Sequence, residues 1–205
     1  MLDRTALDAD QRAKLAVVRA HTAELQHLAD RFFEYSYLLE SEPRLEPGQL
    51  DLVQVLADCL LGHVGELEAA GIDATLDAPE CLPWTTDREE FTRIVHDLVR
   101  NVRQHGTGTL AVRVRAEEGV ASLWFSNTLA PGEQPDPSRM FERFYTGSAA
   151  RSSRSSGLGL SIVGVLADQL GGGAEASLAV DQLTVAVQLA DLSSGRAQAS
   201  STTTT

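Results

Sequence analysis

Residues 96–106 read HDLVRNVRQHG and complete a segment whose pattern decides the fold. The apolar residues of this segment recur at helical spacing: Phe91, Ile94, Val95, Leu98 and Val102. Asp97 and Asn101 are four residues apart, so they share one face of the predicted helix beside that stripe. DREE at 87–90 resembles a capping box, and Gly106 stops the stripe. The sequence therefore predicts an amphipathic helix with two polar side chains on one face.

This polar pair has two interpretations. In the structural interpretation, Asp97 and Asn101 belong to a solvated polar face. In the functional one, the side-chain carbonyl of Asn101 is a hard oxygen ligand suited to Mg²⁺, an ion that keeps most of its waters and bridges to ligand phosphates. The helix taken alone favours the solvated face.

A second stretch, residues 141–163, reads FERFYTGSAARSSRSSGLGLSIV and reverses the acidic character of the chain. Between residues 138 and 157 there are four arginines against one acid, although the net charge of the chain is −12. We expect a long polar loop over 128–156 and a helix from Gly157 to Leu170. The first N–H groups of a helix have no intrahelical partner, and glycines let a phosphate approach them closely. Neither GxxxxGK[ST] nor GxGxxG is present, so a nucleotide site here belongs to another class.

The N-terminal segment predicts one long helix over residues 8–40. Apolar or small residues alternate steps of three and four along it: Leu15, Val18, Thr22, Leu25, Ala29, Phe32, Ser36 and Leu39. Such a heptad seam packs either on the domain of its own chain or on another helix in a bundle, and so narrow a stripe favours the second. SEPRLEPG, with two prolines and a glycine, then predicts a linker.

The remaining pattern is mixed. It predicts a helix from Leu50 to Ala70, with Gly71 just beyond its end. The predicted strands lie near 72–76, over 110–114 and 120–126, and on both sides of 181–182. Helices on one face of a largely antiparallel sheet make the α+β class, a two-layer α/β sandwich.

The acidic composition limits the partners. Phosphate binding requires clustered positive charge, so neither nucleic acid nor an anionic membrane is expected as a main partner. No apolar run approaches the roughly 20 residues that cross a bilayer, and the N-terminus lacks the pattern of a signal peptide. The default prediction is a cytoplasmic chain without membrane contact. The segment 192–205, LSSGRAQASSTTTT, is predicted to be disordered.

The polar helix segment is followed by SLWFSNTL, by MFERFY, and by SSGLGLSIV with LGG. In this order and spacing, the four segments resemble the Asn box, first glycine box, Phe box and second glycine box of the nucleotide-binding domain of sensor histidine kinases. The resemblance covers about residues 44–190 and implies the Bergerat ATP-binding fold of the GHKL superfamily. The long helix, ending in FFEYSYLLE, is similar to the second helix of that family's dimerisation hairpin.

The resemblance also implies which residues bind ATP and Mg²⁺. The implied ATP-binding residues are Asp97, Asn101, Gln104, His105, Asn127, Tyr145, Arg151, Gly157, Leu158, Gly159 and Leu160. Asn101 is expected to ligate Mg²⁺ on the ATP phosphates, with Gln104 and His105 near phosphate and base. Tyr145 and Arg151 fall in the family's lid, and the glycine segment lines the polyphosphate.

One position resembles other members of the superfamily, and two depart from the family's pattern. Asp97 stands where related ATPases and serine kinases place a general-base Glu, and it either orients a water or hydroxyl or supports a hydrogen-bond network. Asn127 replaces the Asp that accepts a hydrogen bond from adenine, and a neutral acceptor binds more weakly. Leu129 replaces a glycine two residues later.

The family's phosphoacceptor motif, H-E-x-R-T-P, has no match here. His21, His27 and His63 lack the following acid, Arg and Pro. MLDRTALDAD resembles the tail of the first hairpin helix and its turn. We therefore expect the chain to begin just after the phosphorylated segment.

The leading hypothesis is the ATP-binding catalytic core of a two-component sensor histidine kinase, which transfers the γ-phosphoryl group to a His outside this chain. The predicted parts are a dimerisation-hairpin remnant over 1–42, the ATP-binding domain over 44–191 and the tail over 192–205. Expected partners are ATP, a phosphoacceptor helix or response regulator, and a second copy through residues 8–40. One alternative is a nucleotide-responsive regulatory module without kinase activity. Another is an anti-sigma-type serine kinase, which Asp97 favours and the heptad helix disfavours.

Overall fold

The structure is a computed structural model that describes residues 8–40, 44–147 and 157–193. In chain order, its elements are α1 (Ala9–Glu40), β1 (Gly48–Asp51), α2 (Leu52–Ala69), β2 (Ile72–Asp77), β3 (Pro83–Thr86), α3 (Arg88–His105), β4 (Gly106–Glu117), β5 (Val120–Leu129), a 3₁₀ turn (Pro137–Arg139), α4 (Gly159–Gln169), β6 (Gly173–Ala179) and β7 (Gln182–Ala190).

The main sheet has five strands in the order β2-β4-β5-β7-β6. Only the β2–β4 pair is parallel, and the other pairs are antiparallel. Side chains of β5 alternate between buried and more exposed, as expected for a sheet with one face on the core. The core lies between that face and helices α2, α3 and α4. The predicted α+β two-layer sandwich is confirmed.

A second, two-stranded sheet of β1 and β3 was not predicted. Its strands, GQLD and PWTT, have four residues each and carry a glycine or proline in place of an alternating apolar pattern. Because Leu50 belongs to β1, helix α2 begins at Leu52, two residues later than predicted. Pairing between distant short segments, rather than their composition, forms this sheet.

Two aspartates fasten the small sheet to the helices. Asp51 caps α2 by accepting hydrogen bonds from the backbone N–H groups of Val53 and Gln54, and it accepts another from Leu82. Asp87 caps α3 in the same way through Glu89 and Glu90. The predicted start of α3 is therefore confirmed. In a capping box the Glu90 side chain would bond back to the N–H of Asp87, but here it pairs with Arg93.

The predicted long helix is confirmed as α1, but the face that packs on the domain is not the heptad seam. The apolar members of the seam are 37 to 66% exposed at Leu15, Val18, Leu25, Phe32 and Leu39. The side chains that pack on the domain are Tyr35 and Leu38, which are buried. Gln169 at the end of α4 donates a hydrogen bond to the carbonyl of Leu38 (3.0 Å). The last turns of α1 therefore dock on the domain while the seam stays exposed.

Some predictions concern residues outside the described ranges. These are Arg151, the linker residues 41–43, the segment that resembles a hairpin turn over 1–7, and the tail from residue 194 onward. Among the described residues, no helix combines the length and apolarity needed to span a membrane.

The triple hydrogen bonding of Asp51 predicts a pH dependence of stability. The backbone N–H of Leu82, above all, lowers the pKa of this carboxyl from its ordinary value of 3.8. A lowered folded-state pKa stabilises the protein above the unfolded pKa, and that stabilisation is lost as the pH falls through the folded pKa. Asp51→Asn keeps a capping oxygen but does not titrate. We expect wild type to exceed Asp51→Asn in unfolding free energy at pH 6, and the difference to shrink below about pH 4. Urea titrations at each pH measure it, and a difference that stays constant down to pH 3 would contradict the prediction.

Candidate functional site

One cleft, partly open to solvent, brings distant parts of the chain together. Its walls are the polar face of α3, the start of α4 and the segment over 129–147. Eight of the eleven predicted ATP-site residues line it: Asp97, Asn101, Gln104, His105, Tyr145, Gly157, Gly159 and Leu160. Small-molecule sites are commonly clefts in which a few polar side chains converge, as they do here.

Helix α3 supplies the longest wall. Its apolar side chains are buried, including Phe91, Ile94 and Leu98, so the opposite side of the helix is oriented by the core. Residues at i, i+3, i+4 and i+7 share one helix face, and here these are Asp97, Arg100, Asn101 and Gln104, all of which line the cleft. The four-residue spacing read from the sequence thus places both polar side chains on the cleft.

The glycines at the start of α4 have different structural reasons. Gly157 has a φ of +65°. A Cβ atom there would lie 2.6 Å from the backbone carbonyl carbon of Phe144. The carbonyl oxygen of Gly157 accepts a hydrogen bond from the Phe144 N–H (3.0 Å). Gly159 has room, because the nearest atom to a Cβ there would be the Nη2 of Arg31 at 3.9 Å. Gly157 therefore permits a close backbone approach, while Gly159 leaves space beside the cleft.

Helix α4 begins at Gly159, two residues later than predicted, with Leu158 at its N-cap position. A leucine side chain has no oxygen with which to cap the first N–H groups of the helix. These groups belong to the glycine-containing turn that lines the cleft, at the positive end of the helix dipole. This arrangement suits an anionic ligand.

A third wall of the cleft comes from the segment after β5. Tyr145 lines the cleft, and its hydroxyl accepts a hydrogen bond from the Asp136 N–H (2.6 Å). His105 Nδ1 lies 3.5 Å from the carboxylate of Glu133, and both side chains are largely buried. The guanidinium of Arg139 lies over the ring of Tyr145, 5.1 Å from its centroid. These contacts fix the described part of the segment against the end of α3.

Three predicted site residues are not among those lining the cleft. Asn127 is buried in β5, and its amide nitrogen donates a hydrogen bond to the carbonyl of Thr128 (3.1 Å). Leu158 is fully buried in the core. Arg151 lies outside the described residues. The structure therefore leaves contacts of these residues with a ligand as predictions.

Sequence reasoning missed several residues of the cleft, and Arg31 of α1 is the most consequential. Its Nη2 lies 2.7 Å from Oδ2 of Asp97, and the two side chains are 12 and 9% exposed. Arg100 and Glu133 also line the cleft without having been predicted. The available signal for Arg31 was its spacing from Tyr35 and Leu38, which marks a face adjacent to the seam.

The donor groups of the cleft also bear on metal binding. Among the described residues, no group of three His, Cys, Asp or Glu side chains is placed to hold a metal ion. Asn101 offers a neutral amide oxygen on the cleft wall. A Mg²⁺ ion commonly completes its coordination with waters and ligand phosphates, so this single protein oxygen fits such an ion.

The fold and the cleft define an α+β domain with a candidate ligand site, and comparison with protein families makes the class specific. The family described as "Histidine kinase-, DNA gyrase B-, and HSP90-like ATPase" matches residues 86–202, more than half of the chain. The chain belongs to this ATP-binding family. Within it, the chain resembles sensor histidine kinases in particular.

Among curated proteins, the chain is 28% identical over 158 residues to the sensor protein VanS of Enterococcus faecium, covering 75% of this chain and 40% of that protein. The chain spans about half the length of the curated relatives it matches.

Two solved structures share the fold. Full-length ShkA in complex with AMPPNP has a TM-score of 0.74 at 21% identity, covering 92% of this chain and 40% of that one. The histidine kinase ThkA in complex with the response regulator protein TrrA has a TM-score of 0.71 at 17% identity, covering 93% of this chain and 54% of that one.

The two glycines of the cleft should respond differently to a methyl group. Gly157→Ala forces a positive φ on alanine and a clash with the Phe144 backbone, so we expect the unfolding free energy to fall by about 1–3 kcal/mol. Gly159→Ala is the matched control, and it should leave that free energy unchanged or raise it by up to about 1 kcal/mol. Chemical denaturation measures both variants. Equal losses in the two would show that the close approach at Gly157 is not the limiting constraint.

Proposed function

We propose that this chain is the ATP-binding catalytic core of a two-component sensor histidine kinase. The observation that carries the proposal is the convergence of Asn101, Gln104 and the Gly157–Leu160 turn on one cleft, although more than fifty residues separate α3 from that turn. Membership of an ATP-binding family supports the same ligand. The solved relative that holds AMPPNP, a nucleotide, shares this fold.

Each wall of the cleft receives a role. Asn101 presents its amide oxygen to Mg²⁺, which when bound neutralises charge on the ATP phosphates. The N–H groups at the start of α4 and the guanidinium of Arg100 bind the polyphosphate. Gln104 hydrogen-bonds towards the phosphates, and His105, fixed by Glu133, lies towards the base.

The adenine contact is a further proposal. The amide nitrogen of Asn127 is engaged by Thr128, which orients the side-chain oxygen as an acceptor for the adenine amino group. Leu129 lines the cleft and adds apolar surface for the base. Tyr145 also lines this cleft.

The proposed chemistry is in-line phosphoryl transfer to a histidine side chain. An imidazole nitrogen attacks the γ-phosphorus, an N–P bond forms, and the bond between the γ-phosphorus and the bridging oxygen breaks, which releases ADP. Positioning and charge stabilisation supply most of the catalysis in such reactions. Asp97 pairs with Arg31, which favours a supporting role for its carboxylate over that of a general base. The acceptor histidine is supplied by another segment or chain.

The same proposal assigns the parts of the chain. Residues 1–42 belong to a dimerisation hairpin, residues 44–191 form the ATP-binding domain, and residues 192–205 form a tail. The exposed seam of α1 packs on helices of a second copy, because it presents apolar side chains at heptad spacing. A response regulator is the expected downstream partner, and the domain acts on the cytoplasmic side, where ATP is available. The ThkA complex with a response regulator protein supports that partner class.

A regulatory binding module without kinase activity is the second candidate. It is favoured by one observation: Asn127, at the family's adenine-binding position, does not line the cleft. In that case nucleotide binding would be absent or would serve only to change conformation. Nucleotide affinity and phosphoryl transfer therefore separate the two candidates.

The first prediction from this function concerns nucleotide affinity. Wild type should bind ATP in a Mg²⁺-dependent manner, and Asn101→Ala should weaken that binding about tenfold or more, because an oxygen ligand of the ion is lost. Isothermal titration calorimetry measures the affinity. Gln188→Ala, which truncates an exposed amide on β7, is the control and should bind like wild type. No binding by wild type at millimolar ATP would favour the regulatory module.

The second prediction concerns phosphoryl transfer. The chain should phosphorylate a separate fragment that bears a sensor-kinase phosphoacceptor helix, while the chain incubated alone with labelled ATP acquires no acid-labile phosphate. Acid lability distinguishes phosphohistidine from phosphoserine on the product. If the fragment stays unlabelled although ATP is bound, the kinase role is wrong. Acid-stable phosphoserine on a partner would instead indicate a serine kinase.

A further inference from the structure

We propose that Arg31 of helix α1 is a nucleotide-site residue, through which docking of the helix promotes ATP binding. The inference rests on the function proposed above and extends it to a residue outside the ATP-binding domain. Arg31 is part of the lining of the cleft, beside Asn101 and Gly159. A helix that resembles a dimerisation element thus completes the site.

An ion pair between Arg31 and Asp97 connects α1 to the α3 wall of the cleft. Its atoms are 2.7 Å apart, and both side chains are nearly buried, so solvent screens the charges only weakly. The carboxylate of Asp97 lies one helical turn before Asn101 on the same cleft wall. A triphosphate in the cleft carries negative charge, so an uncompensated Asp97 would repel it. Arg31 cancels that charge.

The guanidinium of Arg31 also lies beside the start of α4. Its Nη2 lies 3.9 Å from where a Cβ on Gly159 would stand, which places a positive charge beside the first residue of α4. The N-terminal end of α4 is also the positive end of the helix dipole. Arg31 therefore adds a cation where the proposed polyphosphate binds.

The docking of α1 on the domain determines where Arg31 lies. Tyr35 and Leu38 are buried on the same helix face, one and two turns further along. The ring of Phe32 stacks with that of Phe144, with centroids 6.4 Å apart and planes at 19°. The guanidinium of Arg143 lies 5.5 Å from the centroid of the Tyr35 ring. These contacts join α1 to the segment that forms one wall of the cleft, so displacement of the helix withdraws Arg31.

By linkage, a residue that strengthens ATP binding only when α1 is docked also makes ATP strengthen the docking. Movement of α1 then changes nucleotide affinity without any change in the α3 and α4 walls. The alternative that the experiment must exclude is a coupling of opposite sign, in which the docked helix obstructs the nucleotide and weakens ATP binding.

The test is a double-variant cycle of ATP affinity in the full chain, measured by calorimetry with Mg²⁺ present. Arg31→Ala should weaken ATP binding about tenfold, because the positive charge that faces Asp97 and the polyphosphate is lost. Arg31→Ala combined with Asp97→Asn should bind more tightly than Arg31→Ala alone, since the repelling charge is gone. Arg31→Lys keeps the cation and should recover most of the affinity. A purely structural role of Arg31 predicts neither recovery.

The control is Arg19→Ala, which removes an exposed guanidinium three turns away on the same helix and should bind like wild type. Circular dichroism confirms that each variant is folded. Equal or tighter ATP binding by Arg31→Ala would overturn the inference while leaving the proposed function intact. If Asn101→Ala binds as tightly as wild type, or wild type does not bind, the site itself is wrong and the inference falls with it.

Discussion

Helix α3 must satisfy two environments at once, and the rest of the structure depends on this constraint. Its apolar stripe packs against the sheet and against α2 and α4, and its polar face then has one possible direction, towards the cleft. The cap at Asp87 fixes where the helix begins, and Gly106 passes the chain directly into β4. The core holds the helix in register and so orients Asp97 and Asn101 towards the cleft, where Asp97 also pairs with Arg31 of α1. Rotation of α3 by one residue would turn the polar pair away from the cleft and the stripe away from the core.

The parts of the fold that were predictable from sequence are those with a repeated local pattern. The stripe of α3, the alternation of β4 and β5 and the heptads of α1 each depend on residues close in the chain. The sheet of β1 and β3 was not predictable, since its strands are short and pair across more than thirty residues. For the same reason the pattern showed that Asp97 shares a face with Asn101, but not that Arg31, sixty-six residues earlier, pairs with it.

The glycines show a similar division between what a sequence displays and what a structure explains. The GLGL segment was a weak signal by itself, because glycines begin helices for several reasons. In the fold, Gly157 allows the backbone at Phe144 to approach, whereas Gly159 leaves space beside Arg31. Gly172, in the LGG segment after α4, has a third reason: a Cβ there would overlap the carbonyl of Gln188 on β7. Gly157 and Gly172 are therefore required by tertiary contacts, and such contacts do not appear in local composition.

The central claim is that the polar face of α3 and the start of α4 hold one metal–nucleotide complex. Mn²⁺ can replace Mg²⁺ and broadens nearby nuclear magnetic resonance signals, so amide spectra of the labelled chain with Mn²⁺–ATP locate the ion directly. The account predicts the strongest broadening at Asn101 and at Gly159 and Leu160. It also predicts a decline along α3 towards Glu89, about 18 Å away along the helix axis. Broadening centred on β1 and β3, or no specific broadening at saturating ATP, would contradict the account.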